Sequence, residues 1–384
     1  MFHVLQKNRA KLQHFLHIYK FFRTFANSMA KKVLMAMSGG IDSTVAAILL
    51  LEQGYELVGC TFRTFDSIRE SCLAKEKGCC SIDSIMEARH MAQTLGFEHH
   101  ILDFRDTFRE CVIANFVDEY AHGRTPNPCV LCNSHIKWGK LLKMADDLGC
   151  DYIATGHYAR IAEQDGHYFL QQAVDTHKDQ TYFLWMLTEE NLQRTLFPLG
   201  GLTKAEVREI ARQHGFIQLS QKAESQEICF VPDNDYRRFL RDEGVEVTKG
   251  SYVDAEGTIL GEHEGFPFYT IGQRKGLGIA LGKPRFVTKI DATRNEITLG
   301  DHDDLLTTDV TATQPRIIDL ERLKNNPHIV ARVRYRSQAV AATIDLTNYP
   351  TLHLQFEQAV WGITPGQSLV MYQDDLLVGG ALLV

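Results

Sequence analysis

The 384-residue chain has no apolar run approaching the roughly 20 residues that a bilayer-spanning helix needs. It also has no internal repeat and no low-complexity tract, which sets aside membrane-spanning and repeat architectures. No secretory signal precedes its nine cysteines; a reducing compartment, the cytoplasm, is expected, where thiols are buried, catalytic or metal-bound more often than paired. Positive charge is not in excess: 41 Lys and Arg against 48 Asp and Glu give a formal net charge of -7. That excludes a protein that coats nucleic acid by neutralising many phosphates. It leaves open an RNA partner recognised by shape and a few local basic groups.

What is present is an ordinary globular composition, 44% hydrophobic and 23% charged, over a length that predicts two or three domains. Residues 1–28 stand apart, with Lys7, Arg9, Lys11, Lys20 and Arg23 and no acidic residue. They read either as an extension upstream of a start at Met29 or as a mitochondrial targeting segment. In both cases they lie outside the fold.

Val33-Leu34-Met35-Ala36-Met37 is a short continuous apolar run, as expected of a strand buried on both faces. Ser38-Gly39-Gly40-Ile41-Asp42-Ser43 follows at once, then a helix over 44–51 closed by Gly54, then a strand over 56–62. This strand, glycine loop, helix, strand unit predicts a parallel α/β sheet. The alternation continues with helices at 82–95, 107–122 and 135–148 and strands at 98–104 and 151–155. Beyond Pro232 turns and β-branched runs predict hairpins at 250–260, 267–277 and 286–299, then short strands to 383 that suit a closed or sandwiched β domain. The expected organisation is an α/β domain over 29–232 followed by β-rich regions over 233–308 and 309–384.

Three stretches carry chemistry. At the Ser38–Ser43 loop, glycines let backbone N–H groups approach an anion, hydroxyls can donate, and a helix start favours negative charge. A pyrophosphate suits it, and Asp42 is placed for a metal counterion or for helix capping. The loop matches neither the Walker pattern nor G-x-G-x-x-G. In Arg124-Thr125-Pro126-Asn127-Pro128-Cys129-Val130-Leu131-Cys132-Asn133, the prolines predict a rigid approach. Asn133 is expected to cap the following helix, which puts Cys132 near a helix start that favours a thiolate; two buried thiols at a tight turn is the alternative. Cys229, in the strand-like run Ile228-Cys229-Phe230-Val231, reads by itself as a core thiol. The tract with Cys72, Cys79 and Cys80 reads as a loop with incidental thiols or as a second metal or redox site.

Seven motifs in order make the chain resemble one family. They are Ser38–Ser43, Gly123–Asn133, Ala154–Tyr158, Lys178–Leu184, Ile228–Phe230, Gly-Gln-Arg-Lys-Gly-Leu-Gly at 272–278 and Thr364–Ser368. The family is that of the tRNA-specific 2-thiouridylases, the MnmA/TrmU family within the PP-loop ATP pyrophosphatases. The resemblance runs from about Lys31 to the C-terminus and implies a PP-loop domain, a small central domain and a β-barrel gripping a tRNA anticodon stem-loop. It implies ATP binding by Ala36, Met37, Ser38, Gly39, Gly40, Ile41, Asp42 and Ser43, with Phe62 and Gly156 at the adenosine. Asn127, Pro128 and Cys129 would meet the target base, while His157, Lys178, Asp179, Gln180, Arg334, Tyr335 and Gln367 would touch tRNA.

The implied chemistry is 2-thiouridine formation at the wobble position. ATP with magnesium adenylates the uracil 2-oxygen, Cys229 carries a persulfide whose terminal sulfur attacks, and Cys132 releases it. A sulfur-carrier protein or a cysteine desulfurase would supply the sulfur. Cys129 departs from the Asp that many relatives carry after Asn-Pro, and Cys129, Cys132 and Cys229 could instead ligate an iron-sulfur cluster, with no fourth ligand in sight. Two other classes stay open: a PP-loop ligase acting on a small molecule, and a non-catalytic RNA-binding module with zinc held by Cys72, Cys79, Cys80 and the C-x-x-C pair.

Overall fold

The computed structural model of the chain describes residues 31–65, 82–221 and 228–384. The basic segment 1–28, the tract with Cys72, Cys79 and Cys80, and residues 224–227 ahead of Cys229 lie outside the described residues. Among the described residues up to 196 there are seven strands: β1 (Lys32–Ala36), β2 (Glu56–Arg63), β3 (Glu98–Asp103), β4 (Tyr152–Ala154), β5 (Arg160–Gln164), β6 (His167–Gln171) and β7 (Thr195–Leu196). Five of them form a parallel sheet in the order β3-β2-β1-β4-β7. Val33 and Met35 pack on one face and Leu34 joins the core on the other, all three fully buried. This two-sided burial is why β1 reads as an unbroken apolar run.

Helices α1 (Ile41–Glu52), α2 (Ile82–Leu95), α3 (residues 105–121), α4 (residues 128–138), α5 (Leu141–Asp147) and α6 (Lys204–Gln213) connect and cover these strands. The single helix expected at 135–148 is instead two. Residues Cys132–Trp138 are wound as a π-helix, and a break precedes Leu141. The chain steps left from β1 to β2 and β3 and right to β4 and β7, so the order reverses between β1 and β4. In such sheets ligands bind beyond the carboxyl ends of the strands at this reversal.

The middle of the chain forms a four-stranded sheet from β8 (Gly250–Val253), β9 (Ile259–His263), β10 (Phe286–Asp291) and β11 (Glu296–Gly300), in the order β10-β11-β8-β9. The hairpin expected at 267–277 does not form. Phe266–Phe268 is a 3-10 turn, and Gly272 and Gly276 have φ of +86° and +72°, values incompatible with a strand ladder.

Strands β12 (Leu306–Ile317), β13 (His328–Arg332), β14 (Val340–Asp345), β15 (Leu352–Trp361), β16 (Ser368–Gln373) and β17 (Leu376–Leu383) follow. Pairing of β12 with both β15 and β17 closes them into a six-stranded antiparallel barrel. Alternate residues such as Ile329 and Ala331, Leu354 and Phe356, and Leu369 and Met371 fill its interior. The β5-β6 hairpin leaves the parallel sheet's domain and pairs β6 with β17 through Leu376↔Gln171 and Leu377↔Leu170. Asp375 Oδ2 accepts bonds from Arg160 and Gln171 at 3.0 and 2.8 Å. Leu170, Tyr182 and Trp185 share one core with Val370, Tyr372 and Leu377 of the barrel, so barrel and catalytic domain are locked together.

Candidate active site

The Ser38–Ser43 loop leaves β1 and enters α1 at the sheet's reversal point. Met37 is held from β2, its N–H donating to Cys60 O at 2.7 Å and its carbonyl accepting from Thr61 Oγ1 at 2.8 Å. Gly39 has φ +71°, and a Cβ there would lie 2.5 Å from the Ser84 carbonyl of α2; only glycine satisfies both limits. The loop closes on itself, with Ser38 N–H donating to Ser43 Oγ at 3.2 Å and Ser43 Oγ donating to Gly40 O at 3.1 Å. Gly40 is the N-cap residue and no side chain caps it. The first-turn N–H groups of a helix have no intrahelical acceptor, so this start is built to receive an anion.

Asp42 is not open. Lys204 Nζ bonds both its oxygens at 2.7 and 2.8 Å, and Tyr158 OH donates to Oδ1 at 2.8 Å. Lys204 opens α6 behind the capping box of Thr203 and Glu206, and it is only 8% exposed. The expectation of a metal-facing carboxylate is corrected accordingly: with both oxygens engaged, Asp42 does not fit a protein-held magnesium ion. Gly156, after β4, packs against the same turn, and a Cβ there would lie 2.8 Å from Asp42 C and Ser43 N. Phe62, next to last in β2, lies against Phe104, ring centroids 5.6 Å apart.

The thiol stretch is held from the barrel. Thr125 N–H donates to Pro365 O at 2.9 Å, and Gln367 Nε2 donates to Thr125 O at 3.1 Å and Pro126 O at 2.8 Å. Asn127 precedes α4, which begins at Pro128. The helix therefore starts seven residues earlier than the expected 135, and Asn133 is no cap. It is buried, its Nδ2 donating to Phe183 O at 2.9 Å. Cys129 lies in the first turn and Cys132 a turn further on, so the helix start favours Cys129 rather than Cys132. Cys129 is exposed in a recess dense in protein atoms; desolvation raises its thiol pKa and Lys137 opposes this. Cys229 sits in a turn rather than a strand, because Phe230 and Val231 anchor beside it in a core of Phe108, Phe116 and Phe239. Cys132 and Cys229 are both half-buried against that one core. Among the described residues no three His, Cys, Asp or Glu side chains are grouped to hold a metal ion. Cys129, Cys132 and Cys229 thus form no ready iron-sulfur ligand set in this arrangement.

Most of the expected tRNA contacts are engaged with protein. Arg334 is half-buried, its guanidinium donating to Ile271 O at 2.9 Å and to Thr364 Oγ1, and desolvation lowers its pKa. Tyr335 lies on Phe183, centroids 4.3 Å apart. Asp179 accepts from Ala173 N–H and Thr181 Oγ1 at 3.0 and 2.7 Å, with desolvation raising its pKa. Gln180 Oε1 accepts from Tyr158 N–H at 3.0 Å. Lys178 is half-buried on the same loop. His157 is half-buried beside Lys137, Nε2 to Nζ 3.4 Å. In the sequence Lys137 carries no local signal, Tyr158 only closes the Ala154–Tyr158 motif, and Lys204 is marked solely by the Thr203-x-x-Glu206 capping pattern beside it.

Comparison with known proteins agrees with this architecture. A family model described as the tRNA methyl transferase HUP domain matches residues 31–233, one described as the tRNA methyl transferase PRC-barrel domain matches 237–301, and one described as the aminomethyltransferase beta-barrel domain matches 307–383. The tRNA-specific 2-thiouridylase MnmA of Amoebophilus asiaticus (strain 5a2) is 49% identical over 356 residues, covering 91% of this chain and 94% of that protein. Those of Cytophaga hutchinsonii and Salinibacter ruber are 48% and 47% identical, each over 92% of this chain and over 97% and 94% of their own. Among solved structures, a 4-thiouridine synthetase–RNA complex with bound ATP is 18% identical with a TM-score of 0.32, over 56% of this chain and 50% of that one. With this identity over nine-tenths of its length and family models matched in all three domains, the chain belongs to the tRNA-specific 2-thiouridylase family.

Proposed function

We infer that the protein is an ATP-dependent tRNA-uridine 2-sulfurtransferase acting on the wobble uridine. The observation that carries this reading is the meeting of its two halves at Gly156-His157. Gly156 packs on the anion-binding turn of α1, and His157 touches Lys137 of the cysteine helix. A nucleotide on the loop and a base beside Asn127, Pro128 and Cys129 would then face one another.

A uracil 2-carbonyl has no leaving group, so its oxygen must first be activated. The first-turn N–H groups of α1 and the hydroxyls of Ser38 and Ser43 receive the ATP phosphates, pyrophosphate leaves, and AMP stays on the 2-oxygen. Phe62 and Gly156 border the adenosine. Cys229 then carries a persulfide whose terminal sulfur attacks the activated carbon, and Cys132 attacks the persulfide to release it, AMP departing. The sulfur comes from a carrier protein or a cysteine desulfurase. Lys178 and the groups packed around Asp179, Gln180, Arg334, Tyr335 and Gln367 support the anticodon stem-loop. No helix among the described residues is long and apolar enough to cross a membrane; the proposed place of action is the cytoplasm.

Mass spectrometry of tRNA nucleosides tests the reading. Cells lacking the protein should lose 2-thiouridine derivatives, and the wild-type gene should restore them. Unchanged 2-thiouridine would sink the assignment. ATP–pyrophosphate exchange without RNA would favour the small-molecule ligase, which leaves the cysteine helix and the barrel unused. Tight tRNA binding without ATP turnover would favour the non-catalytic RNA module; the cysteines it requires at 72, 79 and 80 lie outside the described residues.

A further inference from the structure

The helix that carries the cysteines changes its winding at Cys132. Residues Pro128–Leu131 are α-helical and Cys132–Trp138 are π-wound. An α turn takes about 3.6 residues and a π turn about one more, so one of each spans about eight. Lys137 follows Cys129 by eight positions. In an uninterrupted α-helix it would sit roughly 80° around from Cys129; the wide turn brings the two onto one face. Lys137 is the charge felt at the Cys129 thiol, in keeping with that placement.

From the other side Lys137 is held by His157. Thr155 Oγ1 lies 2.7 Å from His157 Nδ1 and accepts the His157 backbone N–H at 3.4 Å. Burial, with Lys137 adding to it, keeps the ring neutral. A neutral ring that donates from Nδ1 to Thr155 presents the Nε2 lone pair to the ammonium, 3.4 Å away. The imidazole fixes the ammonium without neutralising it. The residue before His157 is Gly156, packed on the start of α1. Lys137 therefore stands between Cys129 and the nucleotide loop.

We propose that Lys137 is a catalytic residue of the adenylation step, its ammonium stabilising the charge on the uracil 2-oxygen as that oxygen attacks the α-phosphorus. The assignment rests on the reading of Asn127 to Cys129 as the target-base site. In this step the bond from the 2-oxygen to the α-phosphorus forms, and the bond from that phosphorus to pyrophosphate breaks, its electron pair leaving on pyrophosphate. The N3 proton passes to water. Losing that proton spreads negative charge over N3 and the two carbonyl oxygens, and a fixed cation at the 2-oxygen lowers the barrier. His157 is the positioning residue.

The test is single-turnover adenylation of unmodified tRNA with α-labelled ATP, using full-length wild type, Lys137→Met, Lys137→Arg and Asn127→Ala, with tRNA and ATP affinities measured alongside. Removal of one preorganised donor typically costs about 100- to 1,000-fold in rate. Lys137→Met should lose a factor in that range, with both affinities within about threefold of wild type, and Lys137→Arg should recover a part. Should Lys137→Met lose its cooperative melting transition, Lys137→Gln carries the same comparison. Adenylation at the wild-type rate in Lys137→Met or Lys137→Gln, while Asn127→Ala is impaired, overturns the role of Lys137 alone. Wild-type adenylation and tRNA affinity in Asn127→Ala as well would overturn the target-base reading with it.

Discussion

The nucleotide side and the thiol side of the site are built in opposite ways. On the nucleotide side, six consecutive residues make the loop, and its hydroxyl and glycine bonds run within positions 38 to 44. On the thiol side, nothing local suffices. Thr125 and Pro126, just ahead of Asn127 and Cys129, are held by Pro365 and Gln367 of the barrel, Asn133 by Phe183, and Cys229 by an aromatic core shared with α3. The loop's own bonds thus lie within one short segment, with longer ties from Asp42 to Lys204 and Tyr158, whereas the thiol stretch is held by residues more than 200 positions away. Changes at the first should act locally, and the second should feel distant substitutions.

The largest effects separate the two sides. Cys132→Ser and Cys229→Ser should each remove 2-thiouridine formation by more than about 1,000-fold while leaving adenylation detectable, since a hydroxyl carries no transferable sulfur. Nucleoside mass spectrometry paired with an AMP assay checks this; retained thiolation in either variant would show the pair misread. Conversely, Asp42→Ala should abolish adenylation while tRNA still binds. Lys204 is left without its carboxylate and the turn without its tie to Tyr158. Normal activity in Asp42→Ala would dissociate the loop from ATP.

An intermediate effect sharpens the local character of the nucleotide side. Gly156→Ala introduces a methyl 2.8 Å from backbone atoms of Asp42 and Ser43. Overpacking of this kind costs about 1–3 kcal/mol, and ATP affinity should fall with little change in tRNA affinity. Isothermal titration with each ligand distinguishes this from a loss shared by both. The smallest effect belongs to the long-range side. Gln367→Ala deletes two bonds to Thr125 and Pro126, each worth about 1 kcal/mol, and should raise the KM for tRNA several-fold while the affinity for ATP holds.

This contrast also explains what was legible in the sequence. The β1–loop–α1 unit and the barrel strands were readable because apolar continuity, glycine placement and alternation are local signals. The 376–383 strand falls where the alternation put it. The π-winding of 132–138 was not readable: burial of Asn133 and the bond from Trp138 Nε1 to Thr195 Oγ1 at 2.8 Å fix those residues from outside, and a periodicity that assumes 3.6 residues per turn misses it. The Asp42–Lys204 pair joins positions 162 apart, and the β5-β6 hairpin pairs with a strand 200 residues on, which no local pattern foretells. Cys229 looked like a strand residue because Phe230 and Val231 are apolar for packing, not for pairing.

The account turns on one coupling: that adenylation at the α1 loop feeds sulfur transfer at the cysteine helix. Purified protein incubated with unmodified tRNA, ATP and a sulfur source should form AMP and 2-thiouridine in equal amounts, neither appearing when tRNA is withheld. AMP produced at the same rate without tRNA, or 2-thiouridine formed without ATP, would contradict it.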